Sequence, residues 1–186
     1  MKYCSNCGSK VNFIDVEDDH RPRFVCDSCD TVHYQNPNVV VGSIPIWEGK
    51  ILLARRGISP RSGFWNLPAG FLENHETVEQ GAERELYEET EAKIQNLQLF
   101  TVYSVPRINQ IHIYYRAELT SAHWALTPES TEIKLCNQSD IPWDEIAFPS
   151  TLFVLERYVE DLEKGSFGVH QGHFEWPQEW EKHIKA

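Results

Sequence analysis

Two pairs of cysteines near the start of the chain are the feature that most restricts its fold. Cys4 and Cys7 form one C-x2-C motif, and Cys26 and Cys29 form a second after eighteen intervening residues. This spacing is typical of a four-thiolate zinc site, in which each motif forms a tight turn that directs two sulfur atoms at one ion. Because roughly thirty-five residues cannot bury a large core, we expect bound Zn2+ to supply much of the folding free energy. The pattern therefore predicts a small zinc ribbon over residues 1–36.

Other uses of the same cysteines fit less well. Two disulfides are an alternative, but a cytosolic chain seldom keeps them, and a redox-active C-x2-C motif normally occurs alone. His20 and His33 could serve as ligands, but four thiolates already complete a tetrahedral site, so both are predicted to be surface residues. A closed four-thiolate site offers water no open position, which makes this zinc structural. The fifth cysteine, Cys136, lies in an alternating apolar and polar run and is predicted to be buried.

Composition sets the class of protein and of partner. The chain has 186 residues, a formal net charge of −11 and 41% hydrophobic residues, which suits one folded domain with a small appendage. The acidity argues against nonspecific binding to nucleic acid or to an anionic membrane. We find neither an apolar run of membrane-spanning length nor the apolar core of a signal peptide, so a cytoplasmic protein is expected. A phosphate-bearing substrate stays compatible with this charge if divalent cations bridge the two.

The pattern of apolar residues predicts both strands and helices after the ribbon. "VVVGSIPIW" and "KILLARR" flank a hairpin turn, and further strands are expected at "IQNLQLFTVYSV", "IHIYYRAELT" and "EIKLCN". A helix is predicted to start near Thr77, because Thr77 and Gln80 form a capping box. A second helix, "PSTLFVLERYVEDLEK", is ended by Gly165. These elements predict a domain over residues 37–168, followed by a tail over 169–186 that has no clear signal.

The first of these helices is unusually acidic. The stretch from Gly70 to Thr90 holds seven glutamates and a single arginine. Glu85, Glu88 and Glu89 are spaced to share one helix face, where like charges repel each other. A solvated helix face is the ordinary alternative, but such faces usually mix charges of both signs. Mg2+ and Mn2+ prefer oxygen ligands, so the unmixed carboxylates predict a site for hard divalent cations.

The same stretch resembles the Nudix box, G-x5-E-x7-R-E-U-x-E-E-x-G-U, in which U is aliphatic. The matching residues here are Gly70, Glu76, Arg84, Glu85, Leu86, Glu88, Glu89 and Ala92. Glu91 departs from the pattern, which has glycine there. That glycine is typical of a left-handed residue at the end of a helix, so a glutamate is expected to cost about 1 kcal/mol. The resemblance implies an α/β fold, namely a Nudix α/β/α sandwich around a mixed sheet, here preceded by the zinc ribbon.

The resemblance also implies an enzyme that hydrolyses a nucleoside diphosphate linked to another moiety, X. Glu85, Glu88 and Glu89 would then bind Mg2+ or Mn2+ together with the carbonyl group of Gly70. Arg84 would order the carboxylates. These residues suit the chemistry, because water can attack a doubly anionic pyrophosphate only once its charge is neutralised.

Further site residues follow from the same resemblance. Glu76 is expected at the helix start, where it ligates or orients the metal. The general base is left open, because in this family it comes either from the box or from a later loop. Glu129 and Glu132 in "TPESTEIK" are the loop candidates, and Glu132 is the preferred one; an ordinary solvated loop is the alternative.

Cationic and aromatic residues before the box are candidates for substrate binding. Arg55, Arg56 and Arg61 could bind phosphate, although at least one of them is expected to be an ordinary surface charge. Phe64 and Trp65 could stack on an adenine or flavin ring, or belong to the core. Arg55, Arg61 and Phe64 are the predicted substrate contacts, whereas Trp65 is assigned to the core.

The ribbon narrows the subgroup. A zinc ribbon before a Nudix domain is similar to the NADH pyrophosphatases and to the FAD and ADP-ribose pyrophosphatases. The S-Q-P-W-P-F-P-x-S signature of the NADH enzymes is absent after the box, while "YQNP", "LPAGFLE" and "LERYVEDLEKG" resemble the FAD and ADP-ribose group. FAD or ADP-ribose is therefore the expected small nucleotide substrate, and its hydrolysis is expected to release AMP and X-phosphate. The alternatives are NAD(H), NAD-capped RNA, or a non-catalytic nucleotide sensor. The family also implies a homodimer, by analogy.

Overall fold

The structure, a computed structural model, describes residues 1–174. These residues belong to two compact units, one over residues 1–37 and the other from residue 38 onward. Most of the predicted tail, including Trp176 and Trp180, lies outside the described residues. None of the helices in the described range is long and apolar enough to cross a membrane.

The first unit is a small antiparallel sheet with two tight turns. Its strands, in spatial order, are β1 (Val11–Ile14), β2 (Arg23–Cys26) and β3 (Val32–His33). Each C-x2-C motif closes a turn in the same way, because the Gly8 and Asp30 N–H groups donate to the Cys4 and Cys26 carbonyl oxygens, both at 2.9 Å. Gly8 has φ +77° and Asp30 has φ +53°. Both turns thus contain a left-handed residue. It is a glycine in the first turn, where this conformation costs little, and an aspartate in the second.

The second unit is built on a mixed sheet of eight strands. The strands are β4 (Asn38–Trp47), β5 (Lys50–Arg56), β6 (Trp65–Asn66), β7 (Ala69–Phe71), β8 (Ile94–Val105), β9 (Gln110–Leu119), β10 (Ser130–Cys136) and β11 (His170–His173). Their spatial order is β10-β5-β4-β9-β8-β11, with β6 beside β5 and β7 beside β4. The pairs β4–β9 and β8–β11 are parallel, and the others are antiparallel. The predicted hairpin is confirmed as β4–β5, with positive φ at Glu48 and Gly49 in its turn.

Two helices cover opposite faces of this sheet, which confirms the predicted α/β/α sandwich. They are α1 (Val78–Thr90) and α2 (Pro149–Lys164), and short 3-10 helices occupy Pro106–Ile108, Gln138–Asp140 and Trp143–Glu145. Side chains alternate between the faces along each strand. Tyr115 of β9 therefore packs with Ala82 of α1, while its neighbour Tyr114 packs with Leu155 and Tyr158 of α2.

The ends of both helices match their sequence signals. The Thr77 hydroxyl accepts from the Gln80 N–H at 3.2 Å, and the Gln80 side chain accepts from the Thr77 N–H at 2.8 Å, so the capping box is confirmed. Glu91 ends α1 in the left-handed conformation, with φ +56° and ψ 5°. Gly165 ends α2 in the same conformation with φ +70°.

Strand β11 is an element that the sequence did not predict. Its polar residues HQGH carry no apolar alternation, but they pair in parallel with β8. Asp161 of α2, which is 3% exposed, helps to anchor the segment. Its carboxylate accepts from the Gly168 N–H at 3.0 Å and lies 2.7 Å from His170 Nε2. The start of the predicted tail is thus part of the sheet.

The left-handed glutamate at the end of α1 leads to a stability prediction. Glu91→Gly removes the steric cost of a Cβ at positive φ and is expected to raise the free energy of unfolding by about 0.5–1 kcal/mol. Glu91→Ala keeps the Cβ while removing the carboxylate, so it is the matched control and should give no gain. Urea unfolding of both variants measures this; an equal gain in both would assign the effect to charge and not to backbone strain.

Candidate functional site

The four N-terminal thiols form a compact cluster. The Cys4 and Cys29 sulfurs are 3.7 Å apart and the Cys7 and Cys26 sulfurs 3.5 Å apart. All four sulfurs lie within 4.8 Å of one another. A tetrahedral zinc ion with bonds of about 2.3 Å needs its thiolates about 3.8 Å apart. The cluster therefore fits the donor set and the spacing of the predicted zinc site.

Two neighbouring groups approach these sulfurs, and one of them corrects a sequence expectation. His33 was predicted to be a surface residue, but it is 9% exposed and its Nε2 lies 3.3 Å from Cys4 Sγ. The prediction was wrong because β3 turns this side chain inward against the thiol. The Thr31 hydroxyl lies 3.1 Å from Cys29 Sγ. His20 is exposed and Cys136 is buried, as expected.

In the second unit, Arg84 is the centre of the acidic face of α1. Its guanidinium group donates to Glu76 at 2.7 and 3.0 Å, to Glu85 at 2.7 Å and to Glu88 at 3.0 Å. It also donates to the Phe71 carbonyl oxygen of β7 at 2.9 Å. The hydrogen bonds from Arg84 hold the pKa of Glu76 at about 2. Arg84 therefore links the start of α1, its acidic face and strand β7.

Glu89 lies in a different environment from the other glutamates. It is 7% exposed, and its carboxylate accepts from the Ala69 N–H at a long 3.4 Å. Burial raises the pKa of Glu89 to about 8. Burial also raises the pKa of Glu85, despite its contact with Arg84. Buried carboxylates with incomplete compensation are favourable places for a cation.

The chemistry of these residues fits a divalent cation, although their oxygens are not gathered into a compact ligand set. Among residues 1–174, the cysteine cluster is the group that brings three or more ligand atoms within 4.8 Å. Arg84 contacts one oxygen of Glu85 and one oxygen of Glu88, which leaves the second oxygen of each carboxylate for an ion. Gly70 lets the Glu85 carboxylate lie against its backbone, because a Cβ at this position would overlap that carboxylate. The glutamates thus supply hard oxygen donors next to an accessible backbone.

A cavity of about 380 Å³ opens on the α2 side of the sheet. Aromatic residues form much of its wall, namely Phe71, Tyr103, Tyr114, Phe148 and Phe174. Ala69 and Gly70 belong to its wall as well. Because Ala69 also donates to Glu89, and Gly70 packs against Glu85, strand β7 separates the cavity from the buried carboxylates by the thickness of one strand.

The predicted substrate residues are distributed unevenly around this cavity. Arg61 lines it, donates to the Ala147 carbonyl oxygen at 3.1 Å and lies 3.9 Å over the Phe64 ring. Arg55 instead donates to Glu132 at 2.9 Å and to Glu145 at 3.3 Å. The structure thus brings Arg61 to the cavity, whereas it brings Arg55 and Glu132 to each other.

Other predictions for this region concern a core residue and a loop. Trp65 is 1% exposed, which confirms its assignment to the core. The loop that carries Glu129 is tied to the end of α1. The Thr127 hydroxyl donates to the Glu89 carbonyl oxygen at 3.0 Å and accepts from the Glu129 N–H at 3.2 Å. The negative charge of Glu129 contributes, after burial, to the raised pKa of Glu89.

The polar residues of the cavity wall are the part that sequence reasoning missed. Gln110, His112 and Tyr114 all line it from β9. Their spacing of two residues places them on one face of the strand, and this period was visible in "QIHIYYRAEL". Ser150, at the start of α2, joins the same wall. The sequence held no sign that α2 begins there opposite β9.

Comparison with known proteins identifies the family of both units. The family model described as NUDIX domain matches residues 36–154, and the one described as Nudix N-terminal matches residues 2–35. A NUDIX hydrolase from Nitrosomonas europaea with a known crystal structure is 44% identical to this chain. The two superpose with a TM-score of 0.89, over 94% of this chain and 99% of that one.

More distant relatives differ in what their names say. A protein of Vibrio parahaemolyticus named NAD-capped RNA hydrolase NudC is 30% identical over 145 residues, which is 77% of this chain and 50% of the relative. The chain therefore spans about half the length of that relative. The NUDIX domain of Shewanella oneidensis NrtR, solved with ADP ribose, is 21% identical with a TM-score of 0.59 over 69% of this chain and 90% of that one. This second likeness shows the fold alone.

The thiol cluster leads to a prediction about metal content. Cys29→Ser removes one of four thiolates, so the purified protein is expected to lose its zinc and the first unit its cooperative unfolding. Cys136→Ser, which changes the cysteine outside the cluster, is the control and should keep about one zinc per chain. Elemental analysis and thermal unfolding measure both effects. Equal zinc content in Cys29→Ser and wild type would contradict the assignment.

Proposed function

This chain belongs to the Nudix family, and we propose that it hydrolyses the pyrophosphate bond of a nucleoside diphosphate linked to another moiety. The preferred substrate in this proposal is ADP-ribose or FAD, and the products are AMP and X-phosphate. One observation carries the proposal, namely that a cavity of about 380 Å³ shares strand β7 with the buried carboxylates of α1. A base and its diphosphate can therefore occupy neighbouring sites.

The two sides of β7 suit the two parts of such a substrate. The aromatic wall provides an apolar surface for a flat nucleobase. Arg56 and Arg61 line the same cavity and provide positive charge for phosphate oxygens. The acidic face of α1 would repel a diphosphate unless cations lie between them, so the proposed activity depends on divalent metal. When bound, Mg2+ or Mn2+ supplies charge neutralisation and an activated water.

The residues of the site have distinct proposed roles. Glu85, Glu88 and Glu89 hold the metal, with the Gly70 carbonyl oxygen beside them. Arg84 keeps the carboxylates in position, because its guanidinium group is itself held by Glu76 and by the Phe71 carbonyl oxygen.

The identity of the general base remains a choice between the box and the later loop. Glu89 is the candidate within the box, because its buried carboxylate lies against strand β7, with the Ala69 N–H as a long hydrogen-bond donor at 3.4 Å. Glu132 is the predicted loop candidate, and Glu129 lies on the loop that is tied to Glu89 through Thr127.

NAD-linked substrates are the alternative, and the names of the curated relatives favour them. Those relatives are called NAD-capped RNA hydrolases. The net charge of −11 disfavours a long RNA substrate, because RNA binding usually needs a basic groove. This charge argument does not apply to free NAD+ and NADH, which are small nucleotides. A metal-independent nucleotide sensor is a further alternative, and a homodimer is the proposed assembly state, which light scattering measures directly.

The proposed activity is tested by turnover of a substrate panel. The purified protein is incubated with Mg2+ or Mn2+ and with FAD, ADP-ribose, NADH, NAD+ or NAD-capped RNA, and the products are separated by chromatography. AMP is expected from ADP-ribose or FAD. Glu89→Gln should lower kcat by at least about a hundredfold, the scale of removing one group that stabilises the transition state. Glu83→Gln, on an exposed position of the same helix, is the control and should keep wild-type activity.

The outcomes distinguish the proposed substrates from the NAD alternative and from a nucleotide sensor. AMP from NADH or NAD+ alone would replace the ADP-ribose and FAD proposal with the NAD alternative. Nucleotide binding without metal and without turnover, in wild type and in Glu89→Gln alike, would support the sensor and reject the enzyme.

A further inference from the structure

A short chain of hydrogen bonds lies in the wall of the cavity. His112 Nδ1 is 2.9 Å from the Ser150 hydroxyl oxygen, and His112 Nε2 is 2.9 Å from Gln110 Oε1. All three residues line the cavity. Burial lowers the pKa of His112 to about 4, so its imidazole is neutral at pH 7. The Ser150 end of the chain is fully buried at the start of α2, whereas Gln110 is partly exposed.

The direction of these hydrogen bonds follows from the chemistry of the three groups. A neutral imidazole has one N–H donor and one acceptor nitrogen, and an amide oxygen only accepts. His112 Nε2–H therefore donates to Gln110 Oε1, and His112 Nδ1 accepts from the Ser150 hydroxyl. Reversing the Gln110 amide would require all three groups to exchange roles together. In the arrangement that the structure shows, the NH2 group of Gln110 and the second lone pair of its oxygen are available to a ligand.

An amide held in this way matches one purine better than another. Adenine presents an amino donor beside a ring-nitrogen acceptor, so a glutamine side chain can form two hydrogen bonds with it. Hypoxanthine and guanine carry a carbonyl oxygen in place of that amino group. Their oxygen would face Gln110 Oε1, which loses one hydrogen bond and sets two acceptors against each other.

We propose that Gln110 reads the edge of the nucleobase in this cavity and selects adenine over 6-oxopurines, with His112 and Ser150 as positioning residues. The proposal rests on the proposed function, because it assigns the nucleoside half of the substrate to the cavity. It adds the base selectivity of the site, which neither the acidic helix nor the family membership provides.

The test compares substrates that differ at one edge of the base. ADP-ribose and its hypoxanthine counterpart, IDP-ribose, differ in the 6-substituent and in the proton that the 6-oxo form carries on N1, so the ratio of their kcat/KM values reports recognition of that edge. Affinities for AMP and IMP, measured by calorimetry without added metal, give a second ratio that does not depend on turnover. Wild type is expected to favour adenine by about tenfold or more in both ratios, the scale of one bidentate base contact.

Variants assign this selectivity to the proposed residues. Gln110→Ala removes the amide, and Gln110→Glu keeps its size and its acceptor for His112 but removes the N–H donors. Gln110→Ala should bring the two ratios to about twofold or less, since no hydrogen bond to the 6-substituent then remains. Gln110→Glu keeps the acceptor oxygen that faces the 6-substituent, so it should weaken the binding of both purines while it keeps or raises the preference for adenine. His112→Phe should lower the ratios partway, because Gln110 is then free to reverse. Gln95→Ala, an exposed glutamine of β8, is the control and should keep the wild-type ratios.

The outcomes distinguish this inference from the function it rests on. Metal-dependent turnover with ratios near one in wild type, or with unchanged ratios in Gln110→Ala, would overturn the role of Gln110 and leave the hydrolase intact. If none of the diphosphates is turned over, the proposed function fails, and the AMP and IMP affinities still decide whether Gln110 reads the base. Should Gln110→Ala fold poorly, Gln110→Met gives the answer, because it keeps the approximate size of the side chain and removes both polar groups of the amide.

Discussion

The guanidinium group of Arg84 is the counter-charge on which the acidic helix depends. Its hydrogen bonds reach Glu85 and Glu88 on one side and Glu76 and Phe71 on the other. The two sets have different consequences. Contacts with Glu85 and Glu88 relieve repulsion that would otherwise disfavour the helix, and they involve a single oxygen of each carboxylate. Contacts with Glu76 and the β7 backbone hold Arg84 independently of Glu85 and Glu88, so the remaining oxygens can bind a cation while the arginine stays in place.

The same arginine also connects the acidic helix to the cavity, because it fixes β7 against α1. This wall is thin because its residues are small. A Cβ at Gly42 of β4 would overlap Ala69 and Tyr114, and a Cβ at Gly70 would overlap the Glu85 carboxylate. Larger residues at either glycine would push β7 away from β4 or from α1. Because Ala69 and Gly70 of β7 are small, they can separate the apolar cavity from the carboxylates of α1 by little more than one backbone, as the proposed neighbouring sites for base and phosphate require.

Local features of this chain could be predicted from its sequence, whereas tertiary ones could not. The Thr77 capping box, the left-handed Glu91 and the paired C-x2-C turns each depend on residues within a few positions of one another, and the structure shows all of them. His33 was misplaced because its burial depends on β3 pairing with β2, which spacing between cysteines does not reveal. Strand β11 was missed because its pairing with β8 relies on backbone hydrogen bonds and on Asp161, not on an apolar pattern.

The position of Glu132 shows the same limit at the candidate site, and it bears on the choice of general base. The sequence suggested Arg55 for phosphate and Glu132 for a proton, but the fold pairs their side chains at 2.9 Å across adjacent strands. In this ion pair Arg55 is less available to phosphate, and Glu132 is less available to a proton. If Glu132 leaves Arg55 to accept a proton from water, Arg55 keeps its hydrogen bonds with the Gly63 carbonyl oxygen at 2.7 Å and with Glu145 at 3.3 Å. Glu129 faces no such competition from Arg55, since its loop is held through Thr127 to the backbone of Glu89. Because the Glu132 side chain is 54% exposed, releasing it from Arg55 costs no more than about 1 kcal/mol. The pairing therefore lowers the availability of Glu132 only slightly, and what sets Glu129 apart as a proposed base is that its loop is tied to the end of the acidic helix.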